Sequence, residues 1–145
     1  MNSPTHLYEQ NYRRLEQLLG RPLSELRSGV AYRLRAEGFM DLVVEVLPQH
    51  RATGATVLSL AHYFVQGGDL CQDPEMTVRV FPPRQGRPGL AEALTFLQAI
   101  PPVFSAVYPE PGKVAPRVKR ELNAFLGTWL RNLRQQGHRP VAVGA

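Results

Sequence analysis

Residues 56–81, TVLSLAHYFVQGGDLCQDPEMTVRVF, predict a pair of β-strands at the centre of this 145-residue chain. Two runs rich in β-branched and aromatic residues flank a nine-residue link that contains Gly67-Gly68 and Asp73-Pro74. Apolar and polar side chains alternate along both runs, as they do in strands with one buried face. We therefore expect two neighbouring antiparallel strands joined by a polar turn.

The same alternation marks the segments that precede this pair. Residues 30–35 and 39–47 place apolar side chains at every second position, and short polar links follow each of them. Together with 76–81 they predict an antiparallel meander. Residues 90–99 fit either a helix or a strand, and 103–108 suggest one more strand. The sheet is therefore expected to have four to six strands.

Two amphipathic helices are predicted at the ends of the chain. At 5–19 apolar residues recur every three or four positions, and Gly20 follows where a left-handed C-terminal cap falls. The same periodicity runs through 116–136 and includes Trp129. The combination predicts a single α+β domain, residues 1–145, in which both helices pack on one face of the sheet.

Composition excludes several classes of protein. With Cys71 as its single cysteine, the chain has no intrachain disulfide and no cysteine-based zinc site. The N-terminus lacks the features of a secretory signal, and no apolar run reaches the roughly 18 residues of a membrane span. We expect a protein of the cytoplasm of a bacterium-like cell, with no membrane partner, while the oligomeric state stays open.

Positive charge is concentrated near the C-terminus. Residues 113–145 hold seven basic side chains and one acidic one, whereas 29–112 hold six basic and eight acidic. On a helical wheel, four arginines form a stripe opposite the apolar side of the second helix. Such a stripe is either a solvated helix face or a surface that contacts phosphates and releases their counterions. The predicted binding residues are Arg117, Arg120, Arg131 and Arg134, with Lys113, Lys119 and Arg139 in the same segment.

The central segment holds the candidate chemical site. His62 lies in the first run, and three carboxylates follow it within the link and at the start of the second run. A histidine with carboxylates is a ligand set for a divalent metal. The alternative is that these residues have a purely structural role, because Asp-Pro and Gly-Asp pairs commonly form turns. The weak candidates for catalysis are His62, Asp69, Asp73 and Glu75.

Signatures of the common enzyme classes are missing from the sequence. There is no Gly-x-Ser-x-Gly elbow, no phosphate-binding Gly-x-x-x-x-Gly-Lys loop and no Gly-x-Gly-x-x-Gly fingerprint. No cofactor and no metal are therefore assigned, and whether the protein is an enzyme is left open.

The order of three segments resembles that of a known family. NYRRLEQLL, DPEMTVRVF and ELNAFLGTWLRNLRQQGH, spanning about residues 8–138, are similar to the YqiB-like family of small bacterial proteins, a domain-of-unknown-function group. The phrase HYFVQGGDLCQDPEMT also resembles a domain of unknown function found in mobile-element proteins. The YqiB-like resemblance implies a small α+β domain without an established activity, and it supplies no catalytic residues. Residues 82–89 and Pro101-Pro102 depart from that family's pattern.

Two functions of different classes follow from these observations. The first is a non-enzymatic binding module whose basic C-terminal helix meets an anionic partner, either nucleic acid or an acidic protein. The alternative is a metal-assisted phosphoester hydrolase that uses the turn around His62.

Overall fold

The computed structural model describes residues 4–48, 55–99 and 101–141, and the side chains of 4, 64–66 and 69–73 lie outside the described part. The elements are α1 (Pro4–Leu19), a 3₁₀ turn (Leu23–Glu25), β1 (Ala31–Arg35), β2 (Leu42–Val46), β3 (Thr56–Gln66), β4 (Asp69–Phe81), β5 (Leu90–Gln98), β6 (Val103–Ala106), α2 (Pro116–Gln135) and β7 (Arg139–Pro140). Both predicted helices and the α+β class are confirmed.

The described strands form one antiparallel sheet in the order β6-β5-β4-β3-β2-β1-β7. Strands β1 to β4 are the predicted meander, and β5 and β6 continue it, but the expected count of four to six strands is wrong, because the described residues form seven. The additional strand is β7, only two residues long, in which Arg139 pairs with Arg35 and Pro140 with Leu34. A strand of two residues that includes a proline is too short to show an alternation of apolar and polar side chains, so the sequence does not predict it.

Helix α2 connects the two edges of the sheet. It follows β6 at one edge and leads into β7 at the other. Its 20 residues span about 30 Å, close to the roughly 29 Å that separates the outermost of seven strands spaced about 4.8 Å apart. The two ends of α2 therefore lie near opposite edges of the sheet.

The link between β3 and β4 is not the nine-residue polar turn that the sequence suggests. Gly67 and Gly68 alone make the turn, with φ angles of 59° and 87°, which suit the two-residue hairpin loops that follow the twist of the strands. Gln66 pairs directly with Asp69, so Asp69 and Asp73 belong to β4. The ladder shifts between Ala61 and Tyr63, opposite Asp73-Pro74, and this bulge accommodates a proline that has no N–H to donate.

Residues 90–99, for which helix and strand were both open, form β5. Burial does not alternate along its first residues, because Ala91, Glu92 and Ala93 are all buried, so the segment lacks the pattern by which a strand with one buried face is predicted. Thr77 pairs with Thr95 but Val78 with Ala93, so Leu94 forms a second bulge.

The hydrophobic core lies between the helices and one face of the sheet, the covered face. Leu34, Leu42, Leu60 and Met76 are fully buried there beneath α1 and α2. Each fully buried leucine contributes about 2 kcal/mol by leaving water. The opposite face is the open face, on which no described helix packs.

Candidate functional site

The apolar side of α2 lies on the covered face, as predicted. Trp129 is 8% exposed, and Leu126, Leu130 and Leu133 are fully buried. Phe125 departs from the expected pattern because it is 38% exposed, and its ring packs edge-on against Phe96 with centroids 5.4 Å apart. The arginine stripe is consequently directed away from the core.

Two of the four predicted arginines, Arg117 and Arg120, lie near the start of α2, and their ionic surroundings differ. Arg117 donates from Nε to Oε1 of Glu121 at 2.9 Å, one helical turn later, so its charge is already paired. Arg120 is exposed, and it makes no salt bridge with any described carboxylate.

The other two, Arg131 and Arg134, line a cleft between the helices. This cleft has a volume of about 400 Å³ and lies between the second half of α1 and the end of α2. Arg14 enters it from α1, so three guanidinium groups border one space. The lining residues are Arg14, Gln17, Leu130, Arg131, Arg134 and Gln135.

A second cleft of about 570 Å³ adjoins the first at the end of α2. The two share Gln17 and Arg134, and β7 adds Arg139. We call the two clefts together the basic groove. Four arginines line it, and no carboxylate occurs among its described lining residues. The residues of the second cleft are Gln17, Leu18, Leu19, Gly20, Arg134, Gly137, His138, Arg139 and Pro140.

Neutral amide groups orient two of these arginines. Arg134 donates from Nη1 to Oε1 of Gln17, which connects the two helices. Arg14 donates from Nη1 to Oδ1 of Asn11 at 3.1 Å. An amide oxygen fixes the direction of a guanidinium without cancelling its charge, unlike the carboxylate that holds Arg117.

The close approach of α1 and α2 depends on Gly127. A Cβ at this position would lie 2.9 Å from Nη1 of Arg14 and 3.0 Å from Oδ1 of Asn11. Asn11 is itself fixed, because its amide donates to the carbonyl of Asn123 at 3.2 Å. Asn123 in turn accepts the backbone N–H of Ala93 at 2.9 Å. A buried polar chain thus ties both helices to β5 and sets the position of Arg14.

His138, which immediately precedes β7, closes the end of the groove. It is 3% exposed. Its Nδ1 lies 3.1 Å from the carbonyl of Leu133 in the last turn of α2, and its Nε2 lies 2.9 Å from the carbonyl of Met40. The ring therefore joins the end of α2 to the link between β1 and β2.

His62, the predicted metal ligand, lies beside His138 on the covered face. The two ring centroids are 6.0 Å apart, and the His62 ring also packs edge-on against Trp129 at 5.6 Å. Its Nδ1 is 3.0 Å from the carbonyl of Asp41. Burial lowers the pKa of His62, the bond to Asp41 opposes this, and the charge of His138 lowers that pKa further.

Glu75 lies on the other side of the sheet from His62. Its Oε1 accepts a hydrogen bond from Ser59 at 3.4 Å, and Ser59 alternates with the covered-face residues Leu58 and Leu60. The structure thus separates two of the four residues of the proposed metal set. The side chains of Asp69 and Asp73 lie outside the described part, so the complete set stays a prediction. Among the residues that the structure describes, no three His, Cys, Asp or Glu side chains cluster closely enough to hold a metal ion.

Sequence reasoning missed a buried ionic cluster at the start of α2. Glu92 is 7% exposed and accepts hydrogen bonds from Arg79 at 2.6 Å and Tyr108 at 2.5 Å, and Lys119 lies 3.3 Å away. Burial alone would raise the pKa of Glu92, but these partners outweigh it and lower that pKa. A single glutamate within an apolar run was the only sequence signal. Both of its oxygens are engaged by the chain itself, which indicates a structural tie.

Comparison of the sequence with models of protein families identifies a known group. Residues 5–139 match the family model described as "Domain of unknown function (DUF6908)". The chain belongs to this family. Searches of curated proteins and of solved structures found no match. All four arginines of the basic groove lie within the DUF6908 match, and the YqiB-like resemblance stays a prediction. None of the described helices is long and apolar enough to cross a membrane.

Proposed function

We propose that this DUF6908 protein is a non-enzymatic module that binds an anionic partner in its basic groove. The observation that carries the proposal is the arrangement of Arg14, Arg131, Arg134 and Arg139 around two adjoining clefts without a carboxylate among their described lining residues. Like charges gathered on one surface repel each other, and a bound anion relieves that repulsion.

The groove suits phosphate in particular. The planar guanidinium presents several N–H donors that match phosphate and carboxylate oxygens. Arg14 and Arg134 each use Nη1 for an amide oxygen, which orients the remaining donors before any ligand arrives. Orientation in advance lowers the entropy lost on binding.

Nucleic acid is the partner class that the lining favours. Stable protein interfaces concentrate aromatic side chains at their centre, but no Trp, Tyr or Phe occurs among the described lining residues of the groove. Without aromatic side chains among the described lining residues, nucleic-acid bases have no ring to stack on. We therefore expect binding through phosphates and without sequence preference. An acidic protein remains the competing partner.

A structural role for the same arginines makes a different prediction. The last turn of α2 carries partial negative charge, and Arg134 in that turn stabilises the helix by about 0.3–1 kcal/mol. If this were its whole role, its loss would lower the free energy of unfolding and leave binding of any anion unchanged.

The test compares two double variants with the same loss of charge. Arg131→Gln with Arg134→Gln removes two groove cations, and Lys113→Gln with Arg117→Gln removes two cations near the start of α2. Fluorescence anisotropy with a labelled single-stranded DNA of about 15 nucleotides at low salt gives the affinity. We expect the groove variant to bind about tenfold more weakly and the control to change less than about twofold.

Equal losses in the two variants would show that net charge, and not the groove, governs binding. Failure of the unaltered protein to bind DNA or RNA at low salt would remove the nucleic-acid version. Binding of poly-glutamate under those conditions would point instead to an acidic protein partner.

The metal-assisted phosphoester hydrolase and the cytoplasmic location remain predictions from the sequence. For the hydrolase, the two candidate side chains that the structure describes, His62 and Glu75, lie on opposite faces of the sheet. The binding module is therefore the function that the geometry supports best.

A further inference from the structure

His138 has an unusual hydrogen-bonding environment for a buried histidine. Both of its ring nitrogens lie within 3.1 Å of backbone carbonyl oxygens, those of Leu133 and Met40. A carbonyl oxygen only accepts hydrogen bonds, and a neutral imidazole has a single N–H to donate. A neutral ring therefore satisfies one of the two contacts, whereas the protonated ring satisfies both.

The location of Leu133 adds a second reason to favour the protonated ring. Its carbonyl belongs to the last turn of α2, where helix ends carry partial negative charge and stabilise cations. The same oxygen also accepts the backbone N–H of His138 at 3.1 Å. Protonation of the ring thus strengthens the attachment of the chain that continues into β7.

The charged groups around His138 are mostly positive. The second cleft, which His138 lines, receives only uncharged residues from α1 and the position after it, namely Gln17, Leu18, Leu19 and Gly20. The carboxylate of Asp41 is held by Arg33 at 3.0 Å and by Arg35 at 3.2 Å. The titratable and charged groups that surround His138 come from five places in the fold: His62 from β3, Asp41 beside β2, Arg33 and Arg35 from β1, Arg134 from α2 and Arg139 from β7.

An anion in the groove would supply the negative charge that this environment lacks. His138 lines the second cleft together with Arg134 and Arg139, so its proton adds to the positive potential that the ligand meets. Arg139 follows it directly in the chain, and the ring anchors that segment to Met40. Loss of the proton would remove a charge from the groove and weaken the anchor of Arg139, and both effects disfavour the anion.

We infer that anion binding in the basic groove is coupled to protonation of His138, so that acidification tightens binding. The inference rests on the proposed function, and it adds regulation by pH to that site. Because coupling is reciprocal, a bound anion must also favour the protonated ring.

The experiment measures affinity for the same single-stranded DNA, made without terminal phosphates, at roughly pH 5.5 and pH 8 and constant ionic strength. Phosphodiester groups keep their charge across this range, so a change belongs to the protein. We expect the unaltered protein to bind at least about fivefold more tightly at the lower pH. His138→Gln, which retains one side-chain donor, should change less than about twofold, and the matched variant His62→Gln should keep the pH effect.

A second measurement does not depend on a variant that folds. Nitrogen-15 chemical shifts of the imidazole report its protonation, and addition of the DNA near neutral pH should move the His138 ring toward the doubly protonated form. Affinity that is the same at both pH values, or a pH effect that persists in His138→Gln, would overturn the inference and leave the groove itself intact. Absence of binding at both pH values would overturn the groove and the inference together.

Discussion

The two ends of α2 carry the same kind of residue in opposite circumstances. Near its start, three of the four cations are paired within the chain: Lys119 with the buried Glu92, Arg117 with Glu121, and Lys113 with Glu110 at 3.1 Å. The fourth, Arg120, is exposed and makes no salt bridge with a described carboxylate. Near its end, Arg131 and Arg134 face Arg14 and Arg139 with neutral amides between them.

The difference shows that the positive charge of residues 113–145 is not one surface. At one edge of the sheet, Lys119 ties α2 to the buried Glu92 of β5, which also pairs with Arg79 of β4, whereas Lys113 and Arg117 form exposed local pairs. Arg131, Arg134 and Arg139 lie at the opposite edge, without described carboxylate partners. There an external anion would meet several cations in one groove.

We expect the largest effect from a substitution that breaks the ion pairs of the buried Glu92 near the start of α2. Glu92→Gln removes the countercharge of Arg79 and Lys119 while the cations stay in place. Loss of one member of a buried charge cluster costs about 3–5 kcal/mol. Urea unfolding should show this loss, whereas Glu121→Gln, which alters an exposed pair on the same helix, should cost about 0–1 kcal/mol.

Acid should abolish the difference between the Glu92→Gln variant and the unaltered protein. The folded-state pKa of Glu92 is lowered, so its contribution to stability is fully present above the unfolded pKa of about 4.3 and is lost as pH falls through the folded value. A gap in unfolding free energy that did not narrow at all as the pH falls below about 4.3 would show that the carboxylate charge is not its source.

A smaller effect on stability is expected at His62, whose ring packs on Trp129 of α2. Burial lowers the pKa of His62, so its neutral form is favoured in the folded state. Stability is unaffected above about pH 6.5 and decreases as pH falls from there toward the folded pKa, by up to about 1.4 kcal/mol per pH unit. His62→Gln should lack this component, and an unchanged pH profile in that variant would contradict the assignment.

The smallest expected effect concerns the orientation of Arg14. In Gly127→Ala the new methyl group displaces the guanidinium from Asn11, since the added Cβ would lie 2.9 Å from Nη1. Better helix propensity offsets part of the strain, so we expect a stability change within about 1 kcal/mol. Affinity for DNA should fall about threefold if an oriented Arg14 contributes one phosphate contact. Unchanged affinity would exclude Arg14 from the site.

Most of the fold could be predicted because it rests on local patterns. The period of α2 places Trp129 in the core, and alternation identifies β1 to β3 with small errors at their ends and the second half of β4. The errors lie where a non-local pairing decides the outcome. Asp69 and Asp73 look like turn residues, but pairing with β3 extends β4 through them.

The site could be predicted only in part, for the same reason. Spacing along the helix reveals Arg117 with Glu121, but no spacing reveals Lys119 with Glu92 or Arg134 with Gln17. The sequence supplies the list of cations, and the tertiary structure decides which of them are paired. Arg14 was missed because nothing in its own segment indicates that α2 lies beside it.

The salt dependence of DNA binding tests the central claim most directly. If four arginines of the groove contact phosphates, the logarithm of the binding constant should fall with the logarithm of salt concentration with a slope of about −3 for a single strand. Substitution of Arg131 and Arg134 by glutamine should reduce that slope to about half. Substitution of Lys113 and Arg117 should leave it unchanged. The same reduction in both double variants would contradict the claim that the two ends of α2 differ in function.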